Sequence, residues 1–387
     1  MKICRIVKNF PPLMGGMEYH ARDLSYAQAK KGHFVDVFIM RGSPHTGDER
    51  VKIRRIRGEG VANKLRDSLG SMLFMSLVDS HLVIRRPETT YDIFHLHGDI
   101  MEALFGALLG KVYGKPTVIT LHAGLNTRKV YRTLASRSFG LVDHIIAVSE
   151  DIAKEVVEMG LDPARISVIS SGIHYQEFAN GENLTDKMEL RRRLGLPEES
   201  PLVVGVGRLH PMKGFKYLIE ALTGVEGRIK VAAAIVGGGP EEPELIRLGR
   251  SGTGRIIFTG QVEKAQLRFY LLAADVFVLP SVSLKGQREG TPTAVMEAMA
   301  AGLPVVTTDV GGAKKLIGDG INGFLVPEKD PKAIRVAIEK LISQPSLRRA
   351  MGENNKKEAK KFDWGEISSK VESVYRTCLA KRKGKSL

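Results

Sequence analysis

Glu289-Gly-Thr-Pro-Thr-Ala-Val-Met-Glu297-Ala-Met-Ala-Ala-Gly302-Leu-Pro304-Val-Val306 reads as a short loop, one helix and the strand that follows it. Thr291 and Pro292 fit the N-cap and first helical position, because a hydroxyl accepts from orphan amides and proline's missing N–H is no loss there. Gly302 and Pro304 stop the helix, and Val305-Val306-Thr307 reads as a buried strand running to the Gly311-Gly312 turn. Glu289 and Glu297 therefore bracket a helix N-terminus, whose amides and positive dipole end favour an anion. A sugar nucleotide suits that arrangement, with a pyrophosphate for amides to hold and hydroxyls on either side for carboxylates to accept from. On spacing alone the plainer reading is favoured, a solvated Glu289 and a local salt bridge at Glu297.

A chain of 387 residues exceeds the size at which one hydrophobic core keeps growing, so two domains are expected. Its composition, 43% hydrophobic and 26% charged, is that of a soluble globular protein. No apolar run approaches the roughly 20 residues of a membrane span. Residues 1–7, MKICRIV, read as a strand and not a signal peptide, and the expected location is the cytoplasm. Two cysteines, Cys4 and Cys378, exclude a disulfide framework and a cysteine-based zinc site. A formal net charge of +15 points to anionic partners: phosphorylated small molecules, lipid headgroups or nucleic acid. Nucleic acid fits worst, because aromatic residues are only 6% of the chain and no stripe of interleaved basic and aromatic residues is present to stack bases.

Residues 1–183 alternate strand and helix patterns. The first strand runs into Pro11-Pro12-Leu13-Met14-Gly15-Gly16, where glycine lets backbone approach a ligand, although an ordinary strand-to-helix loop reads the same way. Residues 50–57 mix basic and apolar side chains as a solvated edge strand does. Residues 63–80 form an apolar, methionine-containing helix, which is core or a face for an acceptor or an interface. Two strands, Asp92-Ile-Phe-His95-Leu-His97 and Thr117-Val-Ile-Thr120-Leu-His122, end in histidines, and a doubly wound sheet binds ligands at the carboxyl ends of its strands. Arg128 and Lys129 follow, either solvated or facing a phosphorylated acceptor. Further on, Leu202-Val-Val-Gly205-Val-Gly207-Arg208-Leu-His210-Pro-Met-Lys213-Gly214 opens like a dinucleotide-binding strand and loop. The match fails where His210 replaces the third glycine. Two cations across a glycine-flanked turn suit a diphosphate instead. A last helix is expected from Trp364 through Tyr375, with residues 381–387 as a frayed basic tail.

Together these stretches resemble the large retaining glycosyltransferase family 4, whose members have the GT-B fold. The resemblance rests on Glu289-x7-Glu297 with its continuation through Thr308-Asp309-Val310-Gly311-Gly312 to Asn322-Gly323-Phe324-Leu325-Val326. It rests also on the Gly207-Arg208 and Lys213-Gly214 pairs, and it is strongest over residues 200–327. It implies an α/β architecture of two facing Rossmann-like domains. The first, residues 1–183, takes the acceptor; the second, residues 184–360, takes the sugar-nucleotide donor; residues 361–387 are a helix and basic tail crossing back to the first. The implied activity is metal-independent, retaining transfer of a hexose from a UDP- or GDP-sugar to a glycan, lipid-linked or small-molecule acceptor, with no cofactor.

Residue by residue, the resemblance implies that Arg208 and Lys213 hold the diphosphate, with Gly290, Thr291, Pro292 and Thr293 lining the donor site. Glu297 takes the ribose hydroxyls and Glu289 the transferred sugar. Gln261 and Val262 border the base, and Gly15 and Gly16 lie against the phosphates or the acceptor. His122, with Glu289, is the catalytic candidate at the sugar, while His97, Arg128 and Lys129 face the acceptor. The sequence has no Asp-x-Asp pair and no His/Asp cluster with metal-ligand spacing, so no metal site is expected. Ser170-Ser171-Gly172 stands where most members have Pro-Asn-Gly. Residues 282–288 lengthen the approach to Glu289, as in members that make surface polysaccharides. A role in polysaccharide biosynthesis and peripheral contact with an anionic inner membrane face follow as expectations. A sugar-nucleotide epimerase of the same fold, or a non-catalytic nucleotide-sugar binding protein, are the alternative readings.

Overall fold

Segments such as TVITL, LVVGV and VFVL are buried along their whole length, a pattern that suits parallel strands covered on each side by helices. The computed structural model describes residues 1–13, 15–43, 47–56, 67–85, 90–124, 129–179, 186–223, 231–250, 255–284 and 290–383. They form two all-parallel sheets in two compact units.

The first unit comprises Met1–Gly172 and Trp364–Leu387. Its strands β1 (Lys2–Val7), β2 (Phe34–Ile39), β3 (Val51–Arg55), β4 (Ile93–His97), β5 (Thr117–Leu121), β6 (His144–Ala147) and β7 (Ile166–Val168) lie in the order β3-β2-β1-β4-β5-β6-β7. Helices α1 (Gly16–Lys30), α2 (Asp67–Arg85), α3 (Ile100–Tyr113), α4 (Lys129–Leu141) and α5 (Glu150–Glu158) connect them. The strand order reverses between β1 and β4, and in such sheets the crevice at that reversal, beyond the carboxyl ends, is where ligands bind.

The second unit, Ile173–Asp363, opens with α6 (Tyr175–Ala179) and α7 (Lys187–Arg193). It continues through β8 (Leu202–Val206), α8 (Phe215–Thr223), β9 (Ala232–Val236), α9 (Glu242–Arg250), β10 (Arg255–Gly260), α10 (Lys264–Ala273) and β11 (Val276–Leu279). After these come α11 (Thr293–Ala300), β12 (Val305–Thr308), α12 (Ala313–Leu316), β13 (Gly323–Val326), α13 (Pro331–Ser343) and α14 (Pro345–Ala359). The order β10-β9-β8-β11-β12-β13 reverses between β8 and β11. At the far end of that strand pair Asp275 accepts from Leu202 N at 2.8 Å and from Arg191 and Lys187 at 2.7 Å each, which pins the two strands together. Whereas the sequence put the change of domain at residue 183, Ile173, Tyr175 and Phe178 already pack in the second unit's core.

The closing helix α15 (Trp364–Lys383) packs on α1 within the first unit. Its Tyr375 hydroxyl meets His95 Nδ1 and the fully buried Arg5, whose guanidinium also donates to Gln28 at 2.7 Å. The helix runs past the expected end at Tyr375 to Lys383. Arg382, assigned from sequence to a frayed tail, is held by Asp143 at 3.0 Å. The helix expected over 63–80 corresponds to α2, which runs past residue 80 to Arg85, with Phe74, Met75, Val78 and Leu82 buried; residues 63–66 lie outside the described residues. Cys4 and Cys378 are free and buried. Among the described residues no helix is long and apolar enough to cross a membrane.

Candidate functional site

In the first unit the loop after β1 ends at Gly15 and Gly16, and Gly16 opens α1. Gly15 is extended, with the Glu18 carboxylate folded into the space a β-carbon would take, while Gly16 faces open space. The positive end of a fifteen-residue helix dipole therefore sits at the reversal of the sheet. His97 is the last residue of β4 and His122 follows β5. The register that sets Val7 opposite His97 and His97 opposite Thr120 places both histidines at the same edge. His97 Nδ1 and His122 Nε2 are 3.0 Å apart, and the rings stack with centroids 5.3 Å apart.

His20, one turn into α1, closes this group. Its ring lies 4.7 Å from His122 and 5.5 Å from His97, and Trp364 packs edge-on against it at 5.2 Å. His20 Nδ1 is 2.9 Å from Ser171 Oγ. His20 and His97 are buried and His122 is half-buried. Burial pushes the His122 imidazole down to about 3. It also holds His20 and His97 well below the usual imidazole range, with the neighbouring rings adding to the effect. All three are neutral at pH 7, and His97 Nε2 is buried without a partner among the described residues. The expectation that no cluster has metal-ligand spacing is corrected here: one nitrogen from each of the three lies within 4.8 Å of the others. Local spacing hid the cluster because its members come from three elements far apart in the chain. Arg128 lies outside the described residues, as does the side chain of Lys129, which opens α4.

In the second unit the loop after β8 is built by close backbone approaches. Gly207, Gly237 and Gly260 interlock, with Gly207 N donating to Val236 O at 3.0 Å and Gly237 N to Gly260 O at 2.9 Å. A β-carbon on Gly237 would collide with the Gly207 carbonyl. Leu209 is buried and donates to Gly238 O at 3.0 Å, which leaves Arg208 exposed on the outer side of the loop. Lys213, half-buried, ends the single turn Pro211–Lys213, and its stem runs beside Gly207. Gly214 then turns with φ +66 against the Pro280 carbonyl, and Val282 N donates to Met212 O at 2.8 Å. The cation loop is thus tied to the connection that follows β11.

That connection delivers α11. The helix starts one residue later than the sequence implied: Pro292 is its N-cap, without a side-chain cap, and Val295 N accepts the role of first closing donor to Pro292 O at 3.1 Å. Thr291 precedes the cap beside the Gly312 turn, where Gly312 N donates to Gly290 O at 3.3 Å. Thr293 is exposed and Glu297, one turn along, is buried. Gln261 is exposed beside Gly238 at the end of β10, and Val262 is half-buried against the core. Glu289 lies outside the described residues. Arg208, Lys213, Gln261, Gly290 and Thr291 thus all sit on loops that leave the carboxyl ends of β8, β10 and β11. His20 is not among the sequence candidates, and Ser171, read there as part of a turn, is given no contact. His20's only sequence signal is its place four residues after Gly16, on the first turn of a helix opening at a ligand edge.

Residues 14–177 match the family described as Glycosyltransferase Family 4, and residues 186–358 the family described as Glycosyl transferases group 1. An uncharacterized glycosyltransferase of Methanocaldococcus jannaschii is 28% identical, over 98% of this chain and 99% of its own. D-inositol 3-phosphate glycosyltransferase 2 of Catenulispora acidiphila is 30% identical, over 93% of this chain and 90% of its own. Among solved structures, Anabaena HepE in complex with UDP-glucose shares the fold with a TM-score of 0.75 at 20% identity, over 97% of this chain and 100% of that one.

Proposed function

Because the chain belongs to the family 4, group 1 glycosyltransferases, we propose that it moves a hexose from a UDP- or GDP-sugar to a glycan, lipid-linked or small-molecule acceptor. In this reading transfer needs no metal and retains the anomeric configuration. One observation carries it: the loop bearing Arg208 and Lys213 is bonded to the connection that leads from β11 to the start of α11, whose N-cap residue is Pro292. Two cations and a helix N-terminus on loops that leave the same sheet reversal suit a leaving diphosphate. Neutralising that charge is then the largest catalytic contribution. Glu297 holds the ribose and Glu289 the transferred sugar. The departing phosphate takes the acceptor's proton on the same face, and His122, neutral at pH 7, hydrogen-bonds the sugar and does not pair with charge. The uridine diphosphate found with HepE makes UDP the first base to test.

We also propose peripheral contact with an anionic membrane face and a product in polysaccharide biosynthesis, the first supported by the net charge of +15. The deciding experiment is a thermal-shift series with UDP, GDP and ADP and their sugars, followed by NMR of the fresh product. A ligand at a hundred times its dissociation constant adds about 2.7 kcal/mol. Transfer in the presence of EDTA with an α-linkage from an α-linked donor is expected. A β-linked first product overturns the mechanism, and release of free UDP at full rate without acceptor points to an epimerase.

A further inference from the structure

Buried polar nitrogens are normally satisfied by oxygen partners. In the first unit, His97 faces His122 across 3.0 Å and keeps its other nitrogen, Nε2, buried without a partner among the described residues. His20 completes a group in which each ring brings one nitrogen within 4.8 Å of the other two. Zinc takes imidazole nitrogens at about 2.0–2.1 Å in a tetrahedron, which sets ligand nitrogens about 3.4 Å apart. The His97–His122 pair stands near that spacing already, and His20 brings a nitrogen within 4.8 Å of both. His20 Nδ1 is occupied by Ser171 Oγ at 2.9 Å, so Nε2 remains for a metal. That is the outer hydrogen bond by which metal-bound histidines are usually oriented. His122 is half-buried, which leaves an approach for the ion and for a water as fourth ligand.

We propose that His20, His97 and His122 bind one zinc ion, with water in the fourth position, and that bound zinc stops transfer by occupying the His122 nitrogen. The binding half stands on the geometry alone. The inhibition half rests on the role assigned to His122 above.

The test is a zinc titration of the metal-stripped full chain against a competing chelator dye, X-ray absorption of the zinc-loaded wild type, and transfer rates with and without one equivalent of zinc. One equivalent is expected to bind, with three imidazole nitrogens at about 2.0 Å. His20→Gln and Ser171→Ala should each weaken binding at least tenfold, while His33→Gln, outside the group, leaves it unchanged. Zinc should slow transfer at least tenfold, and EDTA should restore it. Fewer than three imidazoles in the wild-type spectrum overturns the site without requiring any variant to fold, as does undiminished binding by a folded His20→Gln chain. Zinc bound as expected with transfer unslowed overturns inhibition. Zinc bound as expected with no transfer from any nucleotide sugar overturns the transferase reading and leaves the metal site standing.

Discussion

Arg208 is an exposed cation on a loop whose backbone is otherwise locked by glycine contacts, so its removal should leave the loop in place. Arg208→Ala and Lys213→Ala are each expected to weaken UDP about ten- to a hundredfold, the size of a lost charge-assisted hydrogen bond, while uridine binding changes little. Equal losses for both ligands contradict the phosphate assignment. Glu297→Ala should weaken both ligands, whereas Glu289→Ala should spare UDP and abolish transfer. Asp79 offers a separate test by pH. It lies on α2 with Oδ1 buried and without a partner among the described residues, and burial raises its carboxyl to about 7. A carboxyl whose folded value exceeds its unfolded value favours the folded chain while protonated, so stability falls as pH rises from about 4 to about 7. Asp79→Asn should therefore unfold at a higher temperature than wild type at pH 8, and that difference should vanish near pH 4. The cations were legible in the sequence because they stand in one short loop. His20 was not, because its partners His97, His122, Ser171 and Trp364 meet it only through the fold.

At the level of elements, every strand that carries a candidate residue was readable, since parallel strands buried on both faces are continuous apolar runs such as LVVGV and TVITL. Ends were less readable. α11 starts one residue later than expected, with Pro292 as its N-cap, and α15 outruns its expected end, where Asp143, on a distant turn, holds Arg382. Two glycines separate local from tertiary demands. Gly195 and Gly214 share nearly the same backbone, φ +65 and φ +66, but a β-carbon meets nothing at Gly195 and the Pro280 carbonyl at Gly214. Gly195→Ala should cost about 1 kcal/mol, from the left-handed backbone alone. Gly214→Ala should cost about 1–3 kcal/mol more through overpacking, measured by urea unfolding. Only Gly214→Ala should also weaken UDP, because that turn carries Lys213. An equal cost at both positions would show that the turn yields freely around Pro280.

For the whole molecule the informative quantity is the distribution of charge and apolar surface. Helices α2 and α3 pack on each other in the first unit, and each leaves large apolar side chains in solvent: Leu69, Met72 and Val83 on α2, Leu108 and Val112 on α3, the last 65% exposed. Lys111 is exposed beside Val112, and the chain as a whole carries +15. Apolar side chains beside cations gain by entering an anionic lipid interface, at about 1 kcal/mol for each Lys or Arg brought near the headgroups. The attraction falls off within a Debye length, about 8 Å at physiological salt. The protein should therefore sediment with phosphatidylglycerol vesicles at low salt, leave them at 0.5 M salt, and ignore phosphatidylcholine vesicles. Met72→Asp with Val112→Asp should reduce the bound fraction several-fold without changing UDP affinity, since both residues lie in the first unit, away from Arg208 and Lys213. Equal sedimentation with both lipids would mean that net charge plays no part. Unchanged binding of the double variant would move the contact to the other basic surfaces of the chain.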